Sequence, residues 1–340
     1  MTELRRDPIT GHAVLIVPGR SARPNEHSSV PPATTQEPNC PFCEGSESKT
    51  PSELAVIAPP GRSPNSPGWQ IRTIPNRFPT VEPEAAATPG LTPATSLFEP
   101  ELAVGFHEVV IESPKHSPLL PYLSLEQATS VFRMCRDRTR VLLELEHVGS
   151  VTLFENAGPE SGGSLWHPHA QLVTVPTLTP SLEEELRGGA RFLERSGGTC
   201  ALEEVTRAES EDGHRIVSST DRFVAYAPFA SALPYELRVV PKRHATSFGD
   251  ATDPELEELS ALVPSLLRDL LALLPGASYN FVVRSPRTSL IGPQPYHWHL
   301  DLYPRLVRPD GFDLGSGLSV NTVPPEVAAE ALREEHSAKR

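Results

Sequence analysis

The chain repeats itself. The run His107-Glu-Val-Val-Ile-Glu-Ser-Pro-Lys-His116 resembles Tyr235-Glu-Leu-Arg-Val-Val-Pro-Lys-Arg-His244, each a strand pattern that closes on proline, lysine and histidine. Both are followed by a helix start. In the first copy Ser124 and Gln127 have capping-box spacing ahead of a helix running from Val131 to Leu145; in the second Asp253 caps and Pro254 opens a helix toward Leu274, with Pro264 as a kink point. A strand with an asparagine follows each helix, Phe154-Glu155-Asn156 and Ser278-Tyr279-Asn280, and then a His-x-His strand, His167-Pro168-His169 and His297-Trp298-His299. A repeat of strand, strand, helix, strand, strand buries the apolar helix face on an antiparallel sheet. The expected class is α+β in two tandem halves, residues 1–190 and 191–340.

The copies differ where chemistry should sit. Side chains alternate along an extended chain, so His167, His169 and Gln171 share one face, whereas the second copy has Asp301 at the third position. Only the first copy carries a small-residue loop, Asn156-Ala-Gly158-Pro-Glu-Ser161-Gly162-Gly163-Ser164, whose backbone N–H groups can approach an anion closely. Catalysis is therefore expected in the first half.

Charge and cysteine usage narrow the function. A net charge of −13 argues against nonspecific binding to nucleic acid or anionic membrane, and the most apolar later segment, Leu266 to Leu274, is broken by Arg268 and Asp269 and too short to span a bilayer. A cytosolic protein is expected. Of four cysteines, Cys40 and Cys43 form Cys-Pro-Phe-Cys, a spacing that lets two thiolates hold one zinc; a redox motif or a plain turn is the competing reading. Cys135, in a predicted helix, and Cys200 read as ordinary thiols. The prolines cluster between Pro59 and Pro100, where a surface loop from Glu82 to Pro100 is expected after a strand in Trp69–Pro79, and Glu334 to Arg340 reads as a frayed tail.

Cys40-Pro-Phe-Cys43, Ile74-Pro-Asn76-Arg77-Phe78-Pro79, Pro114-Lys-His116, Phe154-Glu-Asn156, His167-Pro-His169-Ala-Gln171, Pro241-Lys-Arg-His244, His297-Trp-His299 and Gly311-Phe-Asp-Leu-Gly-Ser-Gly317 stand in this order. Together they resemble the galactose-1-phosphate uridylyltransferase family of the histidine-triad superfamily, over nearly the whole chain. The resemblance implies a double exchange: UDP-glucose gives its uridylyl group to a histidine, glucose 1-phosphate leaves, and a second hexose 1-phosphate takes the nucleotide. It makes His169 the nucleophile, and His167 a ligand, with Cys40, Cys43 and His116, of a structural zinc. Gln171, an amide without acid–base titration, would hydrogen-bond a phosphoryl oxygen, and Ser164 with the N–H groups near Gly162 and Gly163 would meet the charge on the phosphate. By the same resemblance Arg20, Arg23, Asn76, Arg77 and Asn156 lie toward nucleotide and phosphates, and Phe312 and Asp313 toward the hexose.

The second half reads as scaffold and sugar-phosphate pocket. Some relatives hold iron here with a glutamate and three histidines, but Asp301 replaces one histidine and none lies between His244 and His297. The expectation is against iron, with a weaker His/Asp site open among His244, His297 and His299, and the run Glu183-Glu184-Glu185, any of which could be that glutamate, reads as an exposed helix face. Two other functions stay open: an ADP-glucose phosphorylase using the same nucleotidyl-histidine chemistry, whose family members carry a segment like Gly311–Asn321, and an idle, zinc-stabilised nucleotide-binding protein. A homodimer is a further implication of the resemblance.

Overall fold

A computed structural model describes residues 2–22, 39–83, 103–292 and 296–338. Its centre is one ten-stranded antiparallel sheet. The strands of the first half are β3 (Ala55–Ile57), β4 (Ile71–Pro75), β5 (His107–Ile111), β6 (Ser150–Ala157) and β7 (His169–Val175). Those of the second are β8 (Ile216–Ser219), β9 (Phe223–Tyr226), β10 (Leu237–Pro241), β11 (Tyr279–Pro286) and β12 (Leu300–Pro304). The order β3-β4-β5-β7-β6-β11-β12-β10-β9-β8 reads the same from either edge when the halves are exchanged. The repeat in the sequence is thus a two-fold in space, with β6 and β11 paired along eight residues at the seam, from Ser150 opposite Pro286 to Ala157 opposite Tyr279. A smaller sheet joins β1 (Glu3–Arg6), β2 (Ala13–Ile16) and β13 (Ser319–Asn321).

Helices α1 (Leu125–Glu144) and α4 (Asp253–Leu273) cover one face of the large sheet. Val131, Phe132 and Leu142 of α1 and Leu259, Val263 and Leu267 of α4 share a core with Val151, Leu153 and Leu172 of the first half and Phe281, Leu300 and Leu302 of the second. Each such buried side chain contributes roughly 1.5–3 kcal/mol, so the core itself ties the halves together. The remaining helices are α2 (Pro180–Ser196), α3 (Ala201–Asp212), α5 (Thr288–Ile291), α6 (Gly311–Ser316) and α7 (Pro325–Ala338).

Helix starts depart in detail from the sequence expectation. Ser124 does cap α1 by accepting from the Gln127 N–H, but the Gln127 side chain is drawn away to the carbonyls of Gln70 and Glu112. The cap of α4 is Thr252 in a full capping box with Glu255, which moves Asp253 into the first turn. The C-terminal tail is helical to Ala338, because Ala328, Ala329 and Leu332 are buried and His336 pairs with Asp269 at 2.8 Å. The expected loop over 82–100 falls, from residue 84 on, outside the described residues.

Candidate active site

The sheet face away from α1 and α4 carries the candidate centre. In β7, Gln171 stands opposite Phe154 of β6 and Val109 of β5, and His169 opposite Ile111, so these residues share one face. His167 precedes Pro168, which keeps it out of the helical region. Its carbonyl meets Nδ1 of His169 at 2.7 Å. With Nδ1–H donating there, Nε2 of His169 keeps its lone pair for attack. Burial holds the His169 ring below the ordinary imidazole range, against the opposing pull of the His167 carbonyl.

Beside it stands a donor set for a metal. Sγ of Cys40 and of Cys43 each lie 3.6 Å from Nδ1 of His167, and Sγ of Cys43 lies 3.6 Å from Nδ1 of His116. All four ligand atoms are within 4.8 Å of one another. Zinc–sulfur and zinc–nitrogen bonds of about 2.3 and 2.0 Å in a tetrahedron give sulfur–nitrogen edges of about 3.5 Å, so the set fits a closed zinc site. The His167 ring is already oriented for it: Nε2–H donates to the Ser113 carbonyl at 2.7 Å, leaving Nδ1 as the ligand. Phe42, between the two cysteines, lies edge-on to the His169 ring at 5.2 Å between centroids. The cysteine loop therefore touches the His169 ring directly, through a residue that sequence reasoning passed over.

Gln171 is surrounded on its other side. Nε2 of His107 lies 2.9 Å and Nδ2 of Asn76 3.4 Å from Gln171 Oε1. In the sequence His107 reads only as part of a repeat; its spacing two residues before Val109 on β5, facing the Gln171 position, is the available signal. Asn156, on the same face of β6, accepts from Nδ2 of Asn280 at 2.7 Å, and that amide also donates to the Ser161 carbonyl at 3.0 Å. The second half thus reaches across the seam to brace the loop of the first. Within the loop Gly158 has φ +87°, and a Cβ there would fall 2.4 Å from Ser278 Oγ, so glycine is required on both counts. Gly162 and Ser164 are exposed and Gly163 packs beside Asn156.

The remaining expected contacts are scattered. Arg77 is exposed over the Phe78 ring. Arg20 pairs with Asp310 at 3.2 Å, next to α6, and Arg23 lies outside the described residues. Phe312 is half exposed, and the Asp313 carboxylate accepts from the N–H groups of Asp310 and Val320.

The second half repeats the geometry with different chemistry. His297 Nε2 meets the Pro241 carbonyl at 2.7 Å as His167 meets Ser113, and His299 Nδ1 lies 3.2 Å from the His297 carbonyl. Asp301, at the Gln171 position, is engaged by Arg238 at 2.7 Å and Arg284 at 2.7 Å. Burial alone would raise its pKa, but Arg238, His299 and Arg284 hold it well below the carboxylate range. Of the His/Asp site left open by the sequence, Asp301 is thus engaged by two guanidinium groups, and Arg284 also lies 3.2 Å from Nε2 of His299. Glu185 is no exposed helix residue: it meets Arg284 at 2.9 Å. Cys200, expected to stand as an ordinary thiol, lies with Glu203 and His244 in a second group whose ligand atoms are within 4.8 Å of one another. Among the described residues no helix is long and apolar enough to cross a membrane.

Comparison with known proteins agrees with this architecture. A family model described as galactose-1-phosphate uridyl transferase, N-terminal domain, matches residues 1–179. The ADP-glucose phosphorylase of Arabidopsis thaliana is 30% identical over 339 residues, spanning 98% of this chain and 92% of that protein. The galactose-1-phosphate uridylyltransferase of Thermotoga maritima is 28% identical, spanning 98% of each. Among solved structures, the Arabidopsis thaliana ADP-glucose phosphorylase with bound ADP-glucose superposes with a TM-score of 0.82 at 29% identity over 98% of both chains. A uridylyltransferase superposes with a TM-score of 0.75 at 26% identity over 100% of this chain and 99% of the other.

Proposed function

Because the chain belongs to the galactose-1-phosphate uridyl transferase family, a family of nucleotidyltransferases, we propose that it is a UDP-glucose–hexose-1-phosphate uridylyltransferase working through a covalent uridylyl-His169. The observation that carries this reading is the His169 ring, anchored through Nδ1 to the His167 carbonyl at 2.7 Å. Nε2 attacks the α-phosphorus of the sugar nucleotide, a phosphorus–nitrogen bond forms, and the bond to the sugar 1-phosphate oxygen breaks. The ring gains positive charge as it does so, which strengthens the Nδ1–H bond to the carbonyl. A phosphate oxygen of the second sugar phosphate then attacks phosphorus, the phosphorus–nitrogen bond breaks and neutral His169 returns.

Gln171 supports this over hydrolysis, since an amide cannot activate water as a base. The N–H groups near Gly162 and Gly163, with Ser164, take the charge on the phosphate, and Asn76, Arg77, Asn156, Arg20 and Arg23 serve the nucleotide and its phosphates. Zinc bound by Cys40, Cys43, His116 and His167 would supply structural fixation and no Lewis acid, since protein fills all four positions. In this reading residues 1–190 hold the chemistry, while 191–340, with Phe312 and Asp313, form scaffold and hexose pocket. A second reading, ADP-glucose phosphorolysis at the same histidine, is favoured by the 30% identity and the TM-score of 0.82 to a phosphorylase.

Intact-protein mass after incubation with UDP-glucose or ADP-glucose decides between them. A uridylyl adduct from the first alone, absent in His169→Ala, is the expected result. An adenylyl adduct from the second alone moves the protein to the phosphorylase reading. No adduct with either, in folded and zinc-loaded protein, overturns the covalent mechanism.

A further inference from the structure

We propose that His107, together with Asn76, fixes which way round the Gln171 carboxamide stands, so that its NH2 group and not its oxygen faces the transferring phosphoryl group. The phosphoryl target rests on the nucleotidyl-transfer reading above; the lock itself is read from hydrogen bonds.

Two backbone N–H groups set the polarity, and a backbone N–H can only donate. Thr80 N–H donates to Nδ1 of His107 at 3.1 Å, so Nδ1 is the acceptor and the neutral ring carries its hydrogen on Nε2. That Nε2–H points at Oε1 of Gln171, 2.9 Å away. Phe78 N–H donates to Oδ1 of Asn76 at 2.8 Å, which turns Nδ2 of Asn76 toward the same oxygen, at 3.4 Å. With Nε2 of His107 protonated, the Asn76 amide 3.1 Å from it is a neighbouring donor, and its acceptor is Gln171. Two donors thus converge on Oε1, and a flipped carboxamide would set its own NH2 against both. Gln171 Nε2 has no protein partner among the described residues and is left to donate on the His169 face. Reversing it would present a lone pair to an anionic phosphoryl oxygen. His107 is therefore a positioning residue, acting through Gln171.

The lock is tested by a double-mutant cycle and by the imidazole itself. His107→Leu is expected to lower kcat for transfer about tenfold or more, with the KM for the sugar nucleotide within about threefold of wild type. His107→Gln offers one acceptor to Thr80 and one donor to Gln171, and should stay within about threefold of wild-type kcat. In a Gln171→Leu background, His107→Leu should cost less than about twofold, because there is no carboxamide left to orient. An unchanged kcat in His107→Leu, or an equal loss in both backgrounds, overturns the proposal. Long-range ¹H–¹⁵N spectra of histidine-labelled wild-type protein give the second arm. The Nε2–H tautomer is expected at His107, and an Nδ1–H tautomer or an imidazolium refutes the lock whether or not the protein turns over. Absence of any nucleotidyl adduct would overturn the transferase reading and leave the tautomer to judge the lock.

Discussion

At the scale of single residues, the centre works by removing choices. His169 has one nitrogen committed to a carbonyl, and His167 has one committed to Ser113, so each ring presents a single defined atom. Phe42 couples the two jobs, since the loop held by Cys40 and Cys43 packs against the His169 ring. Cys40→Ser or His116→Ala should therefore lower bound zinc from about one ion per chain to near none and reduce the folded yield with it. Elemental analysis of the purified variants checks this, and zinc content unchanged by both substitutions would remove these residues from the ligand set. The family motifs nominated Cys40, Cys43, His116 and His167 in the sequence, and the fold gathers all four. His107 was not legible as part of the centre, because a histidine in a strand gains meaning only when its cross-strand neighbour is known, and Gln171 lies 64 positions further along the chain.

At the scale of elements, the strands place one anomaly inside the core. β6 alternates as half-buried strands do, yet its inward set of Val151, Leu153, Glu155 and Ala157 includes a carboxyl group, and Glu112, just beyond β5, brings a second. Burial pushes Glu155 up to about 8, opposed by a hydrogen bond from Tyr279, and burial with the neighbouring Glu155 raises Glu112 well above the carboxyl range. The buried Cys135 thiol also faces the two acids. Both acids keep their protons in the folded chain and lose them on unfolding once the pH exceeds the ordinary value of 4.5. The folded state thus binds more protons than the unfolded between that value and about 8, and stability falls as pH rises through the window. Glu155→Gln should flatten the fall by up to about 1.4 kcal/mol per pH unit. Urea unfolding at several pH values across that window reads the slope, and a slope equal to wild type would show that Glu155 ionises freely in the fold. Two helices, by contrast, were plain in the sequence, since α1 and α4 follow their apolar periodicity, whereas α7 runs into the segment that reads as a tail. Their caps were less plain, because Thr252 and Asp253 are adjacent good candidates and only the backbone chooses between them.

At the scale of the whole molecule, the repeat becomes a sheet with a seam. The duplication and its strand–strand–helix–strand–strand units could be read from sequence; that β6 and β11 join edge to edge could not, since partner choice between strands has no local signature. Across this seam Asn280 donates to Asn156 and to the Ser161 carbonyl. Asn280→Ala leaves both acceptors without that donor, at a cost of about 1–3 kcal/mol, and should slow adduct formation at His169 while zinc content stays unchanged. Stopped-flow adduct formation alongside denaturant unfolding measures the two effects. A variant with wild-type transfer rate would separate the seam from the geometry of the loop.

Two identical copies of one half would meet along such a seam with asparagine facing asparagine, as in any isologous pair. Here the facing residues are Asn156 and Asn280 of a single chain. Continuity of the backbone makes the pairing independent of protein concentration, and it lifts the rule that both partners be alike. One side keeps an imidazole and an open carboxamide, His169 and Gln171, while the other has sealed His299 and Asp301 behind two arginines. The second half is thereby a brace, its Asn280 holding Asn156 and the Ser161 carbonyl of the first.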